Sequence, residues 1–281
     1  MVTSREGAGL GNECEFGYDP RGIAWLAEKG RSQEALTILR KIGGPANATR
    51  ELEDIRRSLA GESGTLRELL EPGMRRAIFI GTGLALFNNW TGWTGIAFYL
   101  PVLFQKAGYS QASEAIWQNV LVVGGNVFLT LIAIWLVDRL GRRPLWLVTS
   151  LAMCFCLILA GFVFQLNVTG PAAVWVIFLC AAPHAIGLGP LPWLMMSEIY
   201  PTRIRARAVS VSTTFLWIAG FTGPLAFPSL EAVSEQWIGS NAGLFWFYAV
   251  ICLLSFVWGW KFLPETNGRT LEEIAQSWSR H

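Results

Sequence analysis

The stretch Asp138-Arg-Leu-Gly-Arg-Arg-Pro144 decides how this chain is read. Four charged side chains stand in the six positions Asp138–Arg143, between two long runs that carry none: residues 115–137 and 144–197 contain no Asp, Glu, Lys or Arg. A charged side chain held in bilayer hydrocarbon costs at least about 2.5 kcal/mol. The uncharged runs are therefore read as membrane-spanning helices, and Asp138–Arg143 as a short loop at a membrane surface between two of them. Its three arginines assign the surface, because cytosolic loops are enriched in Lys and Arg.

The rest of the chain sorts around that loop. Only 15% of the 281 residues are charged and the mean hydropathy is +0.40, where a soluble domain carries about a quarter charged residues. Residues 1–76 hold 12 of the 22 basic and 12 of the 20 acidic residues, so the membrane part begins near Ala77. A straight crossing needs about 20 apolar residues. On that measure spans are expected at 77–105, 115–137, 144–166, 171–196, 208–230 and 241–262, the long run 144–197 dividing at Asn167-Val-Thr-Gly-Pro171. An even number of crossings puts both chain ends on one side. Arg75, Arg76, Arg139, Arg142, Arg143, Arg203, Arg205, Arg207, Lys261 and Arg269 all fall on that side, against Lys106 with Glu114, Glu231 and Glu235 opposite. The expectation is an all-α, multi-pass membrane protein with cytosolic termini.

Residues 1–24 have no helical or strand periodicity and are read as a disordered or non-native leader. Residues 25–76 are read as a cytosolic helical region. Within it, Ser32-Gln-Glu opens an amphipathic helix that Gly43-Gly-Pro45 stops, and shorter amphipathic pieces follow at Thr49–Leu59 and Thr65–Leu70. The six-helix part runs over 77–263 and a cytosolic tail over 264–281. The five Cys (Cys14, Cys154, Cys156, Cys180 and Cys252) lack metal-ligand spacing, and the two His with no Ser–His–Asp set leave no catalytic constellation. No phosphate-binding glycine loop is present and no basic patch stands apart from the membrane loops. The sequence thus points to no enzyme, no nucleic-acid partner and no cofactor; the bilayer itself is the first partner.

Proteins that move polar solutes place polar groups at mid-membrane depth on broken helices. The first span has Asn88, Asn89, Thr91 and Thr94 beside Gly92 and Gly95, with a kink expected at Tyr99-Leu-Pro101. Asn both donates and accepts, which suits hydroxyls. The plainer reading is helix–helix hydrogen bonding with glycines for close approach, and the residues alone do not choose between them. Asn126 in the second span carries the same two readings. Gly187-Leu-Gly-Pro-Leu-Pro-Trp193 must break the fourth span as a hinge or unwound stretch, and Trp193 offers a face for a sugar ring. Trp146, Trp237, Trp258 and Trp260 sit where an interfacial belt belongs. His184 is read as a packing or hydrogen-bonding histidine rather than a proton carrier. Of three Asn-x-Thr sequons, only that of Asn167 lies on the expected outer side and is open to glycosylation.

Four motifs then carry a resemblance. Asp138–Arg143 (D-R-L-G-R-R) resembles the loop between the eighth and ninth helices of the sugar transporters of the major facilitator superfamily. Ser197–Ala208 (S-E-I-Y-P-T-R-I-R-A-R-A) is similar to their loop after the tenth helix, and Pro264–Ile274 (P-E-T-N-G-R-T-L-E-E-I) to their signature after the twelfth. Trp25–Leu36 (W-L-A-E-K-G-R-S-Q-E-A-L) resembles the start of their intracellular helical region. Their order and spread over residues 25–275 make the match specific.

The resemblance implies the fold class: a six-helix half of a major facilitator fold, the family's seventh to twelfth helices, with short cytosolic helices before it. It implies transport of a sugar or similar polyol by alternating access, as facilitated diffusion or proton symport, in the plasma membrane. Position by position it implies a sugar site of Asn88, Asn89, Thr94, Asn126, Trp193 and Trp217. It also implies a cytosolic gating network of Asp138, Arg139, Arg142, Arg143, Glu198, Arg203, Arg205 and Glu265. Asn88 and Asn89 stand where the family has paired Gln, Thr94 where it has Asn, and Ala185 where it often has an acid. The family's first six helices have no counterpart, and residues 1–22 depart from its pattern. The sequence is thus expected to be truncated and to need an N-terminal half or a full-length relative as partner. The alternative is a non-transporting fragment or a regulator of an intact carrier.

Overall fold

Charge patterning divides the chain into a solvated helical part and an apolar one, and the computed structural model has the same two kinds of helix. It describes residues 26–27, 29–43, 48–50, 52–53, 68–69, 71–109, 111–201 and 204–268, in two units, Met1–Gly64 and Thr65–His281. In the first unit, α1 (Ser32–Gly43) turns Ala35 and Leu39 onto Ala48 and Leu52, a small core of its own. Its first turn is held by a two-pronged pair from Arg31 to Glu34, at 2.7 and 2.6 Å. The leader and most of the two shorter amphipathic pieces lie outside the described residues.

The second unit holds α2 (Pro72–Trp90), α3 (Trp93–Lys106), α4 (Ala112–Leu140), α5 (Arg142–Gln165), α6 (Pro171–Pro183), a π-turn (His184–Leu188), α7 (Pro190–Glu198), α8 (Arg205–Ile238) and α9 (Ala242–Phe262). No strand occurs among the described residues. Among the described residues, five stretches are long and apolar enough to cross a membrane: Ile116–Leu140, Arg142–Gln165, Pro171–Glu198, Arg205–Ile238 and Ala242–Phe262. The expected first span is missing from that set: the chain turns at Thr91–Gly92, leaving α3 with 14 residues, and the 19 residues of α2 include Arg75, Arg76, Asn88 and Asn89. Its reach is nevertheless that of a full crossing. Gly81 in α2 lies against Tyr200 and Ser212, Asn89 bonds the Leu216 carbonyl, Gly95 in α3 lies on Phe227, and Lys106 pairs with Glu231 and Glu235. Together α2 and α3 follow α8 in the same direction from one end to the other.

α5 and α9 form the most extensive helix pair, antiparallel along their lengths. The Ser150 and Ser255 hydroxyls meet at 3.2 Å, Phe164 stacks on Phe245 at 4.9 Å, and Ser240 Oγ donates to Gln165 Oε1 at 2.6 Å. Glycines open slots for indoles: Gly161 takes Trp246, Gly259 takes Trp146, and Gly83 of α2 takes Trp258. This corrects the belt expected from the sequence. Trp146 is fully buried and Trp258 packs on Phe79, Phe87 and Phe262. Trp237 and Trp260, by contrast, are 81% and 63% exposed.

The helix ends fall into two sets. One set joins Lys106, the Ala107–Gly170 backbone bond, Gln165, Glu231, Glu235 and Ser240. The other joins the α4–α5 loop, the end of α7 and the segment after α9. α8 runs to Ile238, beyond the span expected to close at Leu230, and Lys106 pairs with Glu231 and Glu235 on this added length. At that end burial pulls the Lys106 ammonium down, but its bonds to Glu235 and Glu231 outweigh burial and hold it above the ordinary lysine value.

Candidate solute site and charged knot

Two of the crossings are broken, and the polar residues of the candidate site gather where the breaks meet. The first break is set by Gly92, whose φ of +103° is open to glycine and strained for other residues. A Cβ there would also lie 2.7 Å from the Tyr248 ring. The second break follows from proline. Pro190 and Pro192 have no N–H, so the helix carbonyls four residues earlier, at Ile186 and Leu188, lose their usual donors. A π-turn absorbs part of the mismatch, with Gly189 N–H bonded to the His184 carbonyl at 2.8 Å. The sequence suggested a hinge or unwound stretch here; the chain instead stays helical with a wider turn.

Asn88 satisfies one of the two carbonyls that the prolines leave open, that of Leu188. Its Nδ2 donates to the Leu188 carbonyl at 2.8 Å and to the Gly189 carbonyl at 3.1 Å. The next residue turns to α8: Asn89 Nδ2 donates to the Leu216 carbonyl at 3.1 Å, and its Oδ1 accepts from Thr94 Oγ1 at 3.2 Å. Gly220 makes the room, since a Cβ there would stand 3.2 Å from Asn89 Oδ1. Cys252 Sγ, from α9, reaches the Thr91 carbonyl that the first break frees, at 3.3 Å. The interhelical reading of the asparagines is therefore realised in full. Both side chains are buried, and their amide donors are spent on backbone.

The remaining site residues stand around that tie. Trp193 follows Pro192 in α7 and is 48% exposed; Trp217 follows Leu216 in α8 and is 66% exposed. Each is thus next to, or close in the chain to, the backbone that the asparagine pair holds. Thr94 and Asn126 are half-buried. Asn126 lies on α4, which packs against the π-turn, and its Oδ1 has no hydrogen-bond partner among the described residues. His184, read from the sequence as a packing or hydrogen-bonding histidine, packs near the first break: its ring lies 6.1 Å from that of Trp93. Asn167 sits in the exposed α5–α6 loop with φ +51°.

At the opposite end the charged loops form one knot. Arg142 Nη2 donates to Glu198 Oε1 at 3.0 Å, and Thr266 Oγ1 to Glu198 Oε2 at 2.6 Å. Arg142 Nη1 bonds Asn267 Oδ1 at 3.0 Å and lies 3.7 Å from the exposed Asp138 carboxylate. Glu265 has a different task from the side-chain ion pair expected of it. Its two oxygens accept the backbone N–H groups of Arg142 and Arg143, each at 3.1 Å, so the tail caps the N-terminus of α5 with a charge that suits the helix dipole. Gly141, φ +86°, is what lets the carboxylate approach, because a Cβ would meet Glu265 Oε2 at 2.8 Å. Arg143 donates to the Trp260 carbonyl at 2.7 Å, Arg139 stacks over Trp135 at 3.9 Å, and Arg205 Nε donates to the Tyr200 carbonyl at 3.1 Å. Arg203 lies outside the described residues. Burial pushes the Tyr200 phenol up to about 12, its bond to Ser212 notwithstanding, so it stays a neutral partner of Ser212 at 2.6 Å.

The sequence and fold of this chain are similar to those of known proteins. A family model described as "Sugar (and other) transporter" matches residues 20–278. The arabinose-proton symporter of Bacillus subtilis (strain 168) is 36% identical over 262 residues, 92% of this chain and 55% of the relative. The D-xylose-proton symporter of Escherichia coli (strain K12) is 32% identical, over 92% of this chain and 52% of the relative. Among solved structures, a double-tryptophan mutant of XylE superposes with a TM-score of 0.73 at 31% identity, covering 91% of this chain and 54% of that one. The inward-open xylose transporter XylE from E. coli gives 0.68 at 29%, covering 92% and 51%. The chain spans about half the length of the relatives it matches. It belongs to the sugar transporter family of the major facilitator superfamily and is an integral membrane protein.

Proposed function

We propose that this chain supplies the solute-binding C-terminal half of a carrier that moves a sugar or similar polyol across the membrane by alternating access. A second six-helix half completes the path, since in this fold solute binds between two halves that rock about a midplane site. One observation carries the reading: Asn88 ties the broken first crossing to the broken fourth, at Leu188 and Gly189. The two discontinuities thereby stand at one depth, with Asn89, Thr94, Trp193, Trp217 and Asn126 around them. Asn, Thr and Trp suit a polyol, hydroxyls donating to the amide oxygens and bonding Thr94, and the ring face lying on indole. Arabinose and xylose, which relatives carry with protons, are the first substrates to try.

The knot of Arg142, Glu198, Glu265 and Thr266 is assigned to the cytosolic end, where it braces the α4–α5 loop for contact with the second half. The arginine excess places both chain ends in the cytosol, and the plasma membrane is the proposed site of action. The test is uptake of labelled D-xylose and L-arabinose by a host lacking pentose carriers. The host makes this chain with the N-terminal half of a relative. Saturable uptake is expected, with a loss of at least tenfold on Trp193→Ala. Membranes that contain both halves in complex yet take up neither sugar would overturn the proposal and favour a non-transporting regulator.

A further inference from the structure

We propose that His184 is a specificity-determining residue of this site, one whose ring nitrogen binds a hydroxyl of the solute. The inference rests on the reading of the site as a polyol site. His184 opens the π-turn of the fourth crossing, and wide turns of this kind are concentrated at functional positions. It is the one histidine of the membrane part, the other being the terminal His281. Its surroundings are built rather than incidental. Its own carbonyl holds the Gly189 N–H at 2.8 Å. Its ring lies tilted at 35° against Trp93, the first residue after the other break. Gly189 leaves space for the ring, since a Cβ there would lie 3.2 Å from Nε2.

Within this arrangement Nδ1 is shut off from solvent and has no hydrogen-bond partner among the described residues. Leaving a buried polar atom unpaired costs about 1–3 kcal/mol, and in hydrocarbon no water relieves it. Asn126 Oδ1, on the helix packed against the same π-turn, is unpaired as well. Three carbonyls of the break are engaged: those of Leu188 and Gly189 hold Asn88, and that of His184 holds Gly189. A group that brings both a donor and an acceptor satisfies the two atoms, and a hydroxyl is such a group. A neutral imidazole also both donates and accepts, so it reads a hydroxyl's position rather than a charge. The neighbouring indole supplies the apolar face that a sugar ring also needs. Specificity follows from the same physics. A site that leaves a polar atom unpaired without the matching hydroxyl rejects the deoxy analogue.

The two histidines make the test direct. The chain is labelled with 15N at imidazole, placed in lipid nanodiscs with the second half used above, and titrated with D-xylose and L-arabinose. Glycerol at equal concentration serves as the solvent control, and binding is followed independently by tryptophan fluorescence. A saturable shift of the His184 Nδ1 resonance is expected, at the concentration that saturates fluorescence, with His281 unmoved. His184→Phe should weaken binding ~2- to 12-fold, as expected for one neutral hydrogen bond, and His184→Gln should recover most of it. Saturable fluorescence with an unmoved His184 resonance would overturn the inference and leave the site reading intact. No saturable binding of either sugar would overturn both.

Discussion

Replacing Asn88 separates a structural tie from a simple solute contact. The Asn88 amide holds two carbonyls, but they do not depend on it equally. Gly189 precedes α7, where a regular helix offers the N–H of Trp193 to its carbonyl. Leu188 has no such recourse, because the residue four ahead is Pro192. Asn88→Ala therefore orphans one buried acceptor outright. An orphaned buried group costs about 1–3 kcal/mol, while interhelical hydrogen bonds measured in membranes average only ~0.6 kcal/mol. The lower figure reflects unfolded chains that find other partners, which proline denies here, so a loss of ~1–2 kcal/mol is expected. Asn88→Asp is the sharper variant. It matches the shape of Asn but sets a carboxylate against two carbonyl oxygens, and should lose ~3 kcal/mol or more. Unfolding in mixed micelles with rising SDS, followed by tryptophan fluorescence, reads both. If Asn88→Asp is no less stable than Asn88→Ala, or if Asn88→Ala stays within ~0.5 kcal/mol of the parent, the tie does not hold the two breaks together.

The same assay tests the other contacts. Glu265→Ala removes the cap on α5 and its favourable charge, and should cost ~1–2 kcal/mol; Gly141→Ala, strained at φ +86° and crowding the same carboxylate, should cost a similar amount. Gly187→Ala drives a Cβ into Thr149, and overpacking of this kind should cost ~1–3 kcal/mol with the π-turn pushed off α5. Lys106 carries the pH prediction: held above the ordinary lysine value of 10.5 when folded, its pairing is complete at neutral pH and is lost as pH rises through that folded value. The exposed position limits the gain to ~1 kcal/mol, so the check is the Lys106 ε-carbon resonance, which should titrate above the ordinary lysine value and fall below it in Glu231→Gln/Glu235→Gln, where burial acts alone.

Much of this was legible in the residues. Uncharged runs located the crossings, and the arginines sorted their ends. What the sequence concealed depended on contacts between distant segments. The first crossing was expected to bend at Pro101, yet Pro101 lies inside α3 and the chain turns at Gly92 instead. Neighbouring helices absorb a proline in a membrane bundle, whereas Gly92 must turn because Tyr248 fills the space beside it. The expected fifth span stopped at Leu230, before Glu231, and no local signal showed that Lys106 pairs with Glu231 and Glu235 on the continuing helix. Trp146 read as an interfacial residue because nothing local announces that Gly259 opens a slot for it. Asn88 was legible as important but not as a backbone ligand, since its partners lie a hundred residues on. Glu265 was legible as part of a charged cluster, but its hydrogen bonds go to backbone N–H groups that no motif displays.

The most direct measurement of the central claim is the protection of Trp193 by sugar. Trp193→Cys and, as a control on the lipid-exposed belt, Trp260→Cys are introduced into the chain paired with the N-terminal half of a relative. The modification rate by a small thiol reagent is then followed with and without saturating D-xylose or L-arabinose. The four described native cysteines are half-buried or buried, which keeps the background low. A site built around the two tied breaks predicts slower modification at position 193 in either sugar, with position 260 unchanged. Equal rates at position 193 with and without both sugars, in a complex that binds them, would place the solute elsewhere and contradict the account.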